Sequence, residues 1–224
     1  MKRKEIIIFG PLSSVPKIRN ALGPLAVNCH SEVRNLGVFL DSSLNFNKQV
    51  SSVVKGSFFQ LRRIAKLKPW LSYTDVETVI HAFVTSRLDY CNSLYLGLNQ
   101  STLARLQLVQ NATARLLTGT KKHMHISPVL AQLHWLPVNY RIHFKVLLFV
   151  FKALNGMAPQ SIFDLLSPYC HSRPLRSSSQ LLSVPKATLK TKGDRAFSVA
   201  APRLWNNLPI EIKSSPTISS FKSN

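Results

Sequence analysis

Beyond residue 45, apolar residues recur every three or four positions, which is the period of an α-helix with one buried face. Four such stretches predict long helices, at residues 46–67, 74–90, 101–118 and 138–154. The second begins with Thr-Asp-Val-Glu at Thr74, which is typical of a capping box because the Glu follows the cap by three residues. The fourth carries its cations on one narrow stripe and is otherwise apolar, so we expect it to be nearly buried.

Before residue 46 the pattern predicts strands instead. Short apolar runs at 5–9 and 33–40 are separated by a proline-containing stretch, 10–32, which we expect to be a loop. Two strands alone are too few for a stable sheet. We therefore expect that further strands of this sheet once preceded Met1.

The last fifty-odd residues are rich in serine, proline and basic residues, which is typical of a partly disordered tail. The tail contains one apolar island, through which we expect it to dock by Phe197 and Trp205. The chain is therefore predicted to divide into four segments: an N-terminal hairpin region (1–45), a three-helix region (46–120), a further helical region (121–170) and a basic tail (171–224). The docking segment of the tail is 195–209.

The charge of the chain is strongly unbalanced, with 29 Lys and Arg against 9 Asp and Glu and a formal net charge of +20. A polyanion would neutralise it, so nucleic acid is the first partner to consider and an anionic membrane surface the second. No apolar run is long enough to span a bilayer or to act as a signal peptide. The three cysteines are widely spaced, which favours a reducing compartment, the cytoplasm or the nucleus, over secretion.

Catalytic and metal-binding patterns are weak. The closest acids, Asp75 and Glu77, are two apart in a predicted helix and so point to different faces. Asp41 follows a strand without an acidic neighbour and is predicted to form a turn. The histidines lack the paired spacing of a zinc site, and we expect His134 to pack in the core. The sequence therefore predicts no catalytic residue, no metal and no cofactor.

A line of cations is the clearest candidate site. Lys48, Lys55, Arg62 and Lys66 follow one another at spacings of seven, seven and four, so they share one face of the first long helix, and Phe59 lies on the same face. The face is either a plain solvated surface, with Phe59 exposed or packed against a neighbour, or a phosphate-tracking surface with an aromatic ring that stacks on a base or sugar. The net charge favours the second interpretation.

Several blocks of the sequence resemble one family in their order along the chain: KEIIIFGP, LGPLAVN, VRNLGVFLDSSLNF, SRLDYCNSLYLGL, LQLVQNATARLLTG, LHWLPVNYRIHFKVLLFVFKALNGMAP and GDRAFSVAAPRLWNNLP. They resemble the C-terminal part of the reverse transcriptase polyprotein of animal non-LTR (LINE-type) retrotransposons, of the jockey and chicken-repeat kind. The resemblance implies that Leu36, Gly37 and Val38 correspond to the primer-grip hairpin. Asp41 would cap the link into a helical thumb that cradles the template–primer duplex.

The same resemblance implies a mainly α fold: a short N-terminal β-hairpin, left from a palm sheet, followed by a thumb-like helical bundle and the basic tail. The family's metal-binding palm aspartates belong upstream of KEIIIFGP. We therefore expect a catalytically inactive fragment of an RNA-directed DNA polymerase that binds RNA or RNA/DNA duplex. The alternatives are a fragment that acts with a separately supplied palm, a longer gene product, and a basic helical module that binds protein or an anionic membrane.

Overall fold

The computed structural model describes residues 5–10, 13–169, 180–187, 189 and 191–223. These residues form α-helices joined by short turns and 3₁₀ segments, with two small two-stranded sheets near the N-terminus, so the predicted mainly α fold is confirmed. The chain divides into two compact units, Met1–Cys91 with Leu98–Trp135, and Asn92–Gly97 with Leu136–Asn224. The four-segment division drawn from composition stays a prediction.

The N-terminal segment of the first unit is more ordered than its prolines suggest. Strand β1 (Ile6–Ile7) pairs in parallel with β2 (Cys29–His30), and helix α1 (Val15–Ala21) lies between them in the chain. The expectation of a plain loop at 10–32 was wrong. Pro16 falls in the first turn of α1, where proline costs no helical hydrogen bond.

The predicted strand at 33–40 is in fact a hairpin. Strand β3 (Glu32–Asn35) pairs antiparallel with β4 (Val38–Asp41), and Asn35 lies opposite Val38. Leu36 and Gly37 form the two-residue turn with φ values of 45° and 83°. Tight hairpins require positive φ at these positions because only then does the turn match the twist of the strands. Gly37 meets that requirement without strain. The apolar pattern alone predicted one continuous strand, which was wrong, whereas the short N-terminal hairpin implied by the family resemblance is present, with its turn at Leu36 and Gly37.

The predicted helices of the first unit are present with small shifts. Helix α2 spans Asn47–Leu67 and α5 spans Gln100–Thr118, and the two pack against each other. Residues 73–89 contain α3 (Tyr73–Ile80), a π-helical segment (His81–Thr85) and α4 (Ser86–Asp89). The short α6 (Ser127–Gln132) follows α5, which ends at Gly119 with φ 73°.

The capping box of α3 lies two residues earlier than its sequence pattern predicts. Ser72 is the N-cap: its hydroxyl accepts a hydrogen bond from the Asp75 N–H at 3.2 Å, and the Asp75 carboxylate accepts one from the Ser72 N–H at 3.2 Å. Thr74 is already inside the helix, so its assignment as the cap was wrong. Both Ser72 and Thr74 stand three residues before an acid, so the sequence pattern fits either as the cap. Leu71 ends the preceding 3₁₀ turn in an extended conformation, which favours Ser72.

His134 does not occupy the core position that the sequence predicts. It is exposed and adopts a positive φ of 53°, so the expectation of a packed core residue was wrong. The neighbouring Trp135 is half-buried and packs on the cluster of Ala114, Val129 and Leu130 instead. The positive φ turns the chain so that only one of the two aromatic neighbours faces the cluster.

The second unit is built around α7 (Val138–Leu154), as its apolar character predicts. Every residue of α7 is buried or half-buried except Tyr140, which confirms a nearly buried helix. Among the described residues, the other α-helices of this unit are the short α8 (Gln160–Phe163) and three near the C-terminus: α9 (Phe197–Asn206), α10 (Ile210–Lys213) and α11 (Ile218–Ser223).

Aromatic residues from three of these helices form the core of the second unit. The rings of Phe151 and Phe221 are stacked with centroids 4.4 Å apart, and Trp205 lies 6.1 Å from Phe221. The Trp205 indole N–H donates to the Gln180 carbonyl at 2.8 Å. Phe197 is half-buried. Part of the segment predicted to be disordered, 171–179 together with 188 and 190, lies outside the described residues.

Within the described ranges, no helix combines the length and apolar character needed to cross a membrane.

Candidate nucleic-acid interface

The predicted cation line lies on the solvent-facing side of α2. Lys48, Lys55, Phe59, Arg62 and Lys66 are all exposed. The buried residues of the same helix occupy the opposite side, and they are Gln49, Val50, Val53, Ser57, Leu61 and Ile64. This arrangement follows from the sequence because spacings of seven and four return to nearly the same angle on a helix. We call the exposed side the basic face of α2.

Phe59 is 51% exposed, so its ring is not part of the core. The guanidinium carbon of Arg63 lies 5.7 Å from the ring centroid, within the range of a cation–π contact. Arg63 is one helical turn further along α2, and it adds a cation that the predicted line does not include. An exposed ring flanked by guanidinium groups can stack on a base while phosphates are neutralised beside it.

Lys48 differs from the other cations of the basic face. It forms an ion pair with Glu32, and its ammonium nitrogen lies 4.9 Å from the centroid of the Phe39 ring. Both partners belong to the hairpin, so much of the Lys48 charge is already used within the protein. Among the described residues, no carboxylate lies within ion-pair distance of Lys55, Arg62 or Lys66. These three therefore carry most of the unneutralised charge of the face.

The basic face continues into exposed apolar side chains that sequence reasoning missed. Leu67 is exposed, and Trp70, in the 3₁₀ turn Lys68–Trp70 that follows α2, is 80% exposed. Together with Phe59 and Arg63 they recur at spacings of four, four and three, which places them along one side of the helix and its extension. That spacing was visible in the sequence, but exposure of the four side chains was not.

The Asp41 carboxylate is hydrogen-bonded within its own loop. One carboxylate oxygen accepts hydrogen bonds from the Ser43 N–H at 3.1 Å, the Ser43 hydroxyl and the Asn45 N–H at 2.9 Å, and the other accepts from the Phe46 N–H at 2.6 Å. Partial burial pushes the pKa of Asp41 upward, but these hydrogen bonds outweigh it and hold the pKa below its ordinary value. The carboxylate thereby supports the tight loop that leads into α2.

The remaining acids are dispersed. All nine acidic residues lie within the described ranges, and no three His, Cys, Asp or Glu residues in those ranges are close enough to hold a metal ion together. Asp75 caps α3, Glu77 lies 3.9 Å from the His81 imidazole, and Asp164 accepts from the Gln160 amide at 2.8 Å. Asp194 pairs with Arg203 at 2.9 Å.

The hairpin residues matched to a primer grip occupy different environments. Leu36 is at the exposed tip, and its carbonyl accepts a hydrogen bond from the Tyr90 hydroxyl at 2.6 Å. Gly37 completes the turn, and Val38 is buried against the helices. The structure thus brings Leu36 and Gly37 to the surface together, while Val38 anchors the hairpin from inside. Their role toward a primer stays a prediction.

Comparisons with protein-family models, with curated proteins and with solved structures find no match to this chain. The resemblance to LINE-type reverse transcriptases therefore rests on the seven sequence blocks alone.

Proposed function

We propose that this chain is a non-catalytic, nucleic-acid-binding part of a LINE-type reverse transcriptase, and that it binds RNA or RNA/DNA duplex through the basic face of α2. The observation that carries the proposal is the line of Lys55, Arg62 and Lys66, which are exposed and have no carboxylate partner among the described residues. The net charge of +20 favours a polyanionic partner over a neutral one.

The dimensions of the face suit a nucleic-acid backbone. Lys55 and Arg62 are about 10 Å apart along the helix axis and Arg62 and Lys66 about 6 Å, because the rise is about 1.5 Å per residue. One strand of a duplex carries a charge about every 3.4 Å of axis. A duplex whose axis lies along α2 thus carries about five phosphates on each strand over the length that these three cations span. Such contacts give affinity with little dependence on base sequence.

The engaged acids support a binding role over a catalytic one. Two-metal polymerase chemistry requires carboxylates that converge on ions about 3.5–4 Å apart. Asp41, the acid most suggestive of such a role, has both carboxylate oxygens occupied by local hydrogen bonds. We expect the pure chain to show no primer extension on an RNA template with magnesium or manganese. Extension above background that disappears in Asp41→Ala would overturn the proposal.

The binding test compares two triple variants in a blunt RNA/DNA duplex titration at several salt concentrations. Changing Lys55, Arg62 and Lys66 to Gln should weaken binding of unrelated sequences alike and lower the log–log salt slope by about 0.9 for each phosphate that is no longer neutralised. The control changes Lys17, Lys121 and Lys122 to Gln, which are exposed residues of the same unit and give the same change of net charge. The control should keep most of the slope. An equal loss in both variants would show that only the overall charge matters.

Phe59→Ala separates stacking from charge. With single-stranded RNA it should weaken binding by a similar factor at low and high salt, because stacking is worth about 1–3 kcal/mol per base and hardly depends on ions. Unchanged RNA affinity would remove Phe59 from the interface. Anionic lipid vesicles provide the alternative, since exposed Phe59, Leu67 and Trp70 beside cations are also typical of an interfacial helix. Tight vesicle binding without RNA binding would favour that alternative.

A further inference from the structure

A groove in the first unit lies beside the hairpin and adjoins the basic face of α2 at Lys48, which lies over the Phe39 ring. Its volume is about 450 Å³, which is within the usual range of ligand sites, about 300–1,000 Å³. Three elements form its walls: the β3–β4 hairpin, α2, and the π-helical segment with α4 and the residue that follows it. We call it the hairpin groove, and its side chains that matter for binding are Arg34, Phe39, Phe83, Arg87 and Tyr90.

Hydrogen bonds fix the walls of the groove relative to one another. The Tyr90 hydroxyl donates to the Leu36 carbonyl at 2.6 Å, which ties the end of α4 to the hairpin tip. On the hairpin side, the Phe39 N–H donates to the Gln49 side-chain carbonyl at 2.9 Å, which ties β4 to α2. Each wall is therefore bonded to a neighbour. The groove is a preformed site rather than a gap between loose segments.

Two guanidinium groups line the groove without any acid. Arg34 lies 5.4 Å over the Phe39 ring. Arg87 lies against α2 at Gly56, where an added Cβ would come within 3.0 Å of its Nη1 atom. None of the residues that line the groove is Asp or Glu, and neither arginine has an ion-pair partner among the described residues. The site therefore has an excess of positive charge presented by planar, multidentate donors, which suit a phosphate group.

Aromatic rings provide the second part of the recognition. Phe83 and Tyr90 are each about half exposed, and Phe39 is half-buried. Phe83 belongs to the π-helical segment His81–Thr85, and widened turns of this kind occur frequently at functional sites. A bare phosphate would leave these rings unused, and an apolar ligand would desolvate the two arginines without a partner.

We infer that the hairpin groove binds a single nucleotide residue, with its phosphate held by Arg34 and Arg87 and its base stacked on the exposed aromatic rings. The nucleotide is either free in solution or an unpaired end of a strand, since both present the same phosphate and base. This inference does not depend on the basic face of α2, which contacts a backbone from outside.

Calorimetric titration of the full chain with adenosine monophosphate tests the inference. The nucleotide should bind, and adenosine or inorganic phosphate alone should bind about tenfold or more weakly. Arg34→Gln and Arg87→Gln should each lower the affinity about tenfold, because each removes a charge-assisted hydrogen bond. Phe83→Leu should lower it by a similar factor through weaker stacking. The matched control Arg19→Gln, on exposed α1, should leave the affinity unchanged.

Gly56→Ala is a milder variant because it adds an atom beside Arg87 rather than removing the guanidinium. The new Cβ would shift the end of Arg87 by a few tenths of an ångström, so nucleotide binding should weaken less than in Arg87→Gln, while the melting temperature stays the same or rises since Ala favours a helix more than Gly does. Unchanged nucleotide affinity in both Gly56→Ala and Arg87→Gln would remove Arg87 from the site and overturn the inference.

Two further measurements show whether the nucleotide is free or part of a strand, and distinguish failure of the hairpin groove from failure of the basic face. A duplex with one unpaired terminal nucleotide should bind more tightly than its blunt form if strand ends occupy the groove, and equally if only free nucleotides do. The Lys55, Arg62 and Lys66 triple Gln variant should keep its affinity for the monophosphate. The inference is overturned if the monophosphate fails to bind at millimolar concentration, or if Arg19→Gln weakens binding as much as Arg34→Gln and Arg87→Gln do.

Discussion

Helices α2 and α7 both carry their cations on one stripe, but they differ in how much of their surface is exposed to solvent. In α2 the buried residues form one stripe and leave the basic face exposed, whereas α7 is buried or half-buried along almost its whole circumference. Lys145 and Lys152 of α7 are half-buried, and the Lys145 ammonium lies 6.0 Å from the Phe149 ring on the same helix. A stripe of cations therefore indicates a binding surface only where the surrounding residues are also exposed.

The two helices also begin differently. Helix α7 follows Pro137, whose extended conformation leads directly into the first turn. Helix α2 follows Phe46, which adopts a left-handed conformation with φ 56° and whose N–H is held by the distant Asp41 carboxylate. The start of α7 is determined by the local stiffness of proline, and the start of α2 by a side chain five residues away. Substitutions on the helices and at their starts test these differences, beginning with the largest expected effect.

The contrast in burial predicts opposite outcomes for one substitution made on each helix. Phe151→Ala on α7 should cost about 3–5 kcal/mol, because the ring is 1% exposed and stacks on Phe221. Phe59→Ala on α2 should cost less than about 0.5 kcal/mol, as is usual for exposed positions. Hydrogen exchange of amides in each helix measures both effects within the intact chain. Equal costs at the two positions would contradict the exposure assigned to Phe59.

The start of α2 should depend on Asp41. Asp41→Ala removes the acceptor for three backbone N–H groups and should destabilise the first unit by about 1–3 kcal/mol. Glu5→Ala is a suitable control because it removes an exposed carboxylate from the same unit. Denaturant titration with hydrogen exchange read out over α2 gives the difference. A loss no larger than that of the control would show that the loop into α2 does not need the carboxylate.

The pH dependence of the Asp41 contribution has a defined sign. Its pKa is lower in the folded than in the unfolded chain, so ionised Asp41 stabilises the fold fully above the unfolded value near 3.8. The contribution is lost as the pH falls through the folded pKa. The stability difference between the native protein and Asp41→Ala should therefore be constant above about pH 5 and decrease below about pH 4. A difference that grows as the pH falls would contradict the lowered pKa.

Helix starts can be compared again at α3, where two hydroxyl residues compete for the cap. Ser72→Ala should cost about 1 kcal/mol, since it removes the acceptor for the Asp75 N–H. Thr74→Ala should be nearly neutral, because only its backbone carbonyl is used, by the Thr78 hydroxyl. Thermal or denaturant unfolding distinguishes the two. The reverse order of costs would restore Thr74 as the cap.

The smallest effect concerns neighbouring lysines near the end of α2. Lys68 donates to the Leu117 carbonyl at 3.3 Å and to that of Leu116, and so satisfies the last turn of α5. Lys68→Gln should cost about 0.5–1 kcal/mol, whereas Lys66→Gln should change stability by less than about 0.5 kcal/mol. Nucleic-acid affinity should show the opposite order. If Lys66→Gln is the more destabilising, the basic face has a structural role that its exposure does not suggest.

Hydrophobic periodicity was sufficient to predict the long helices and the position of the cation line. Lys55, Arg62 and Lys66 share a face, and α5 ends at Gly119, for reasons contained in the spacing of neighbouring residues. The burial of α7 was equally predictable because its apolar residues surround the helix. The hairpin could not be predicted from periodicity, since the pattern of residues 33–40 is compatible with one strand or with two strands joined at Leu36 and Gly37. Only the family resemblance indicated a hairpin there.

What the sequence by itself determined is the location of the helices, the shared face of the cations and the excess of positive charge, because each depends on residues close together in the chain. Only the tertiary structure decided that Glu32 neutralises Lys48, that Lys68 satisfies the end of α5, and that Arg34 and Arg87 line one groove. These pairings join residues 16 to 53 positions apart. They depend on how the hairpin and helices pack, and the period of a single helix contains no information about that packing.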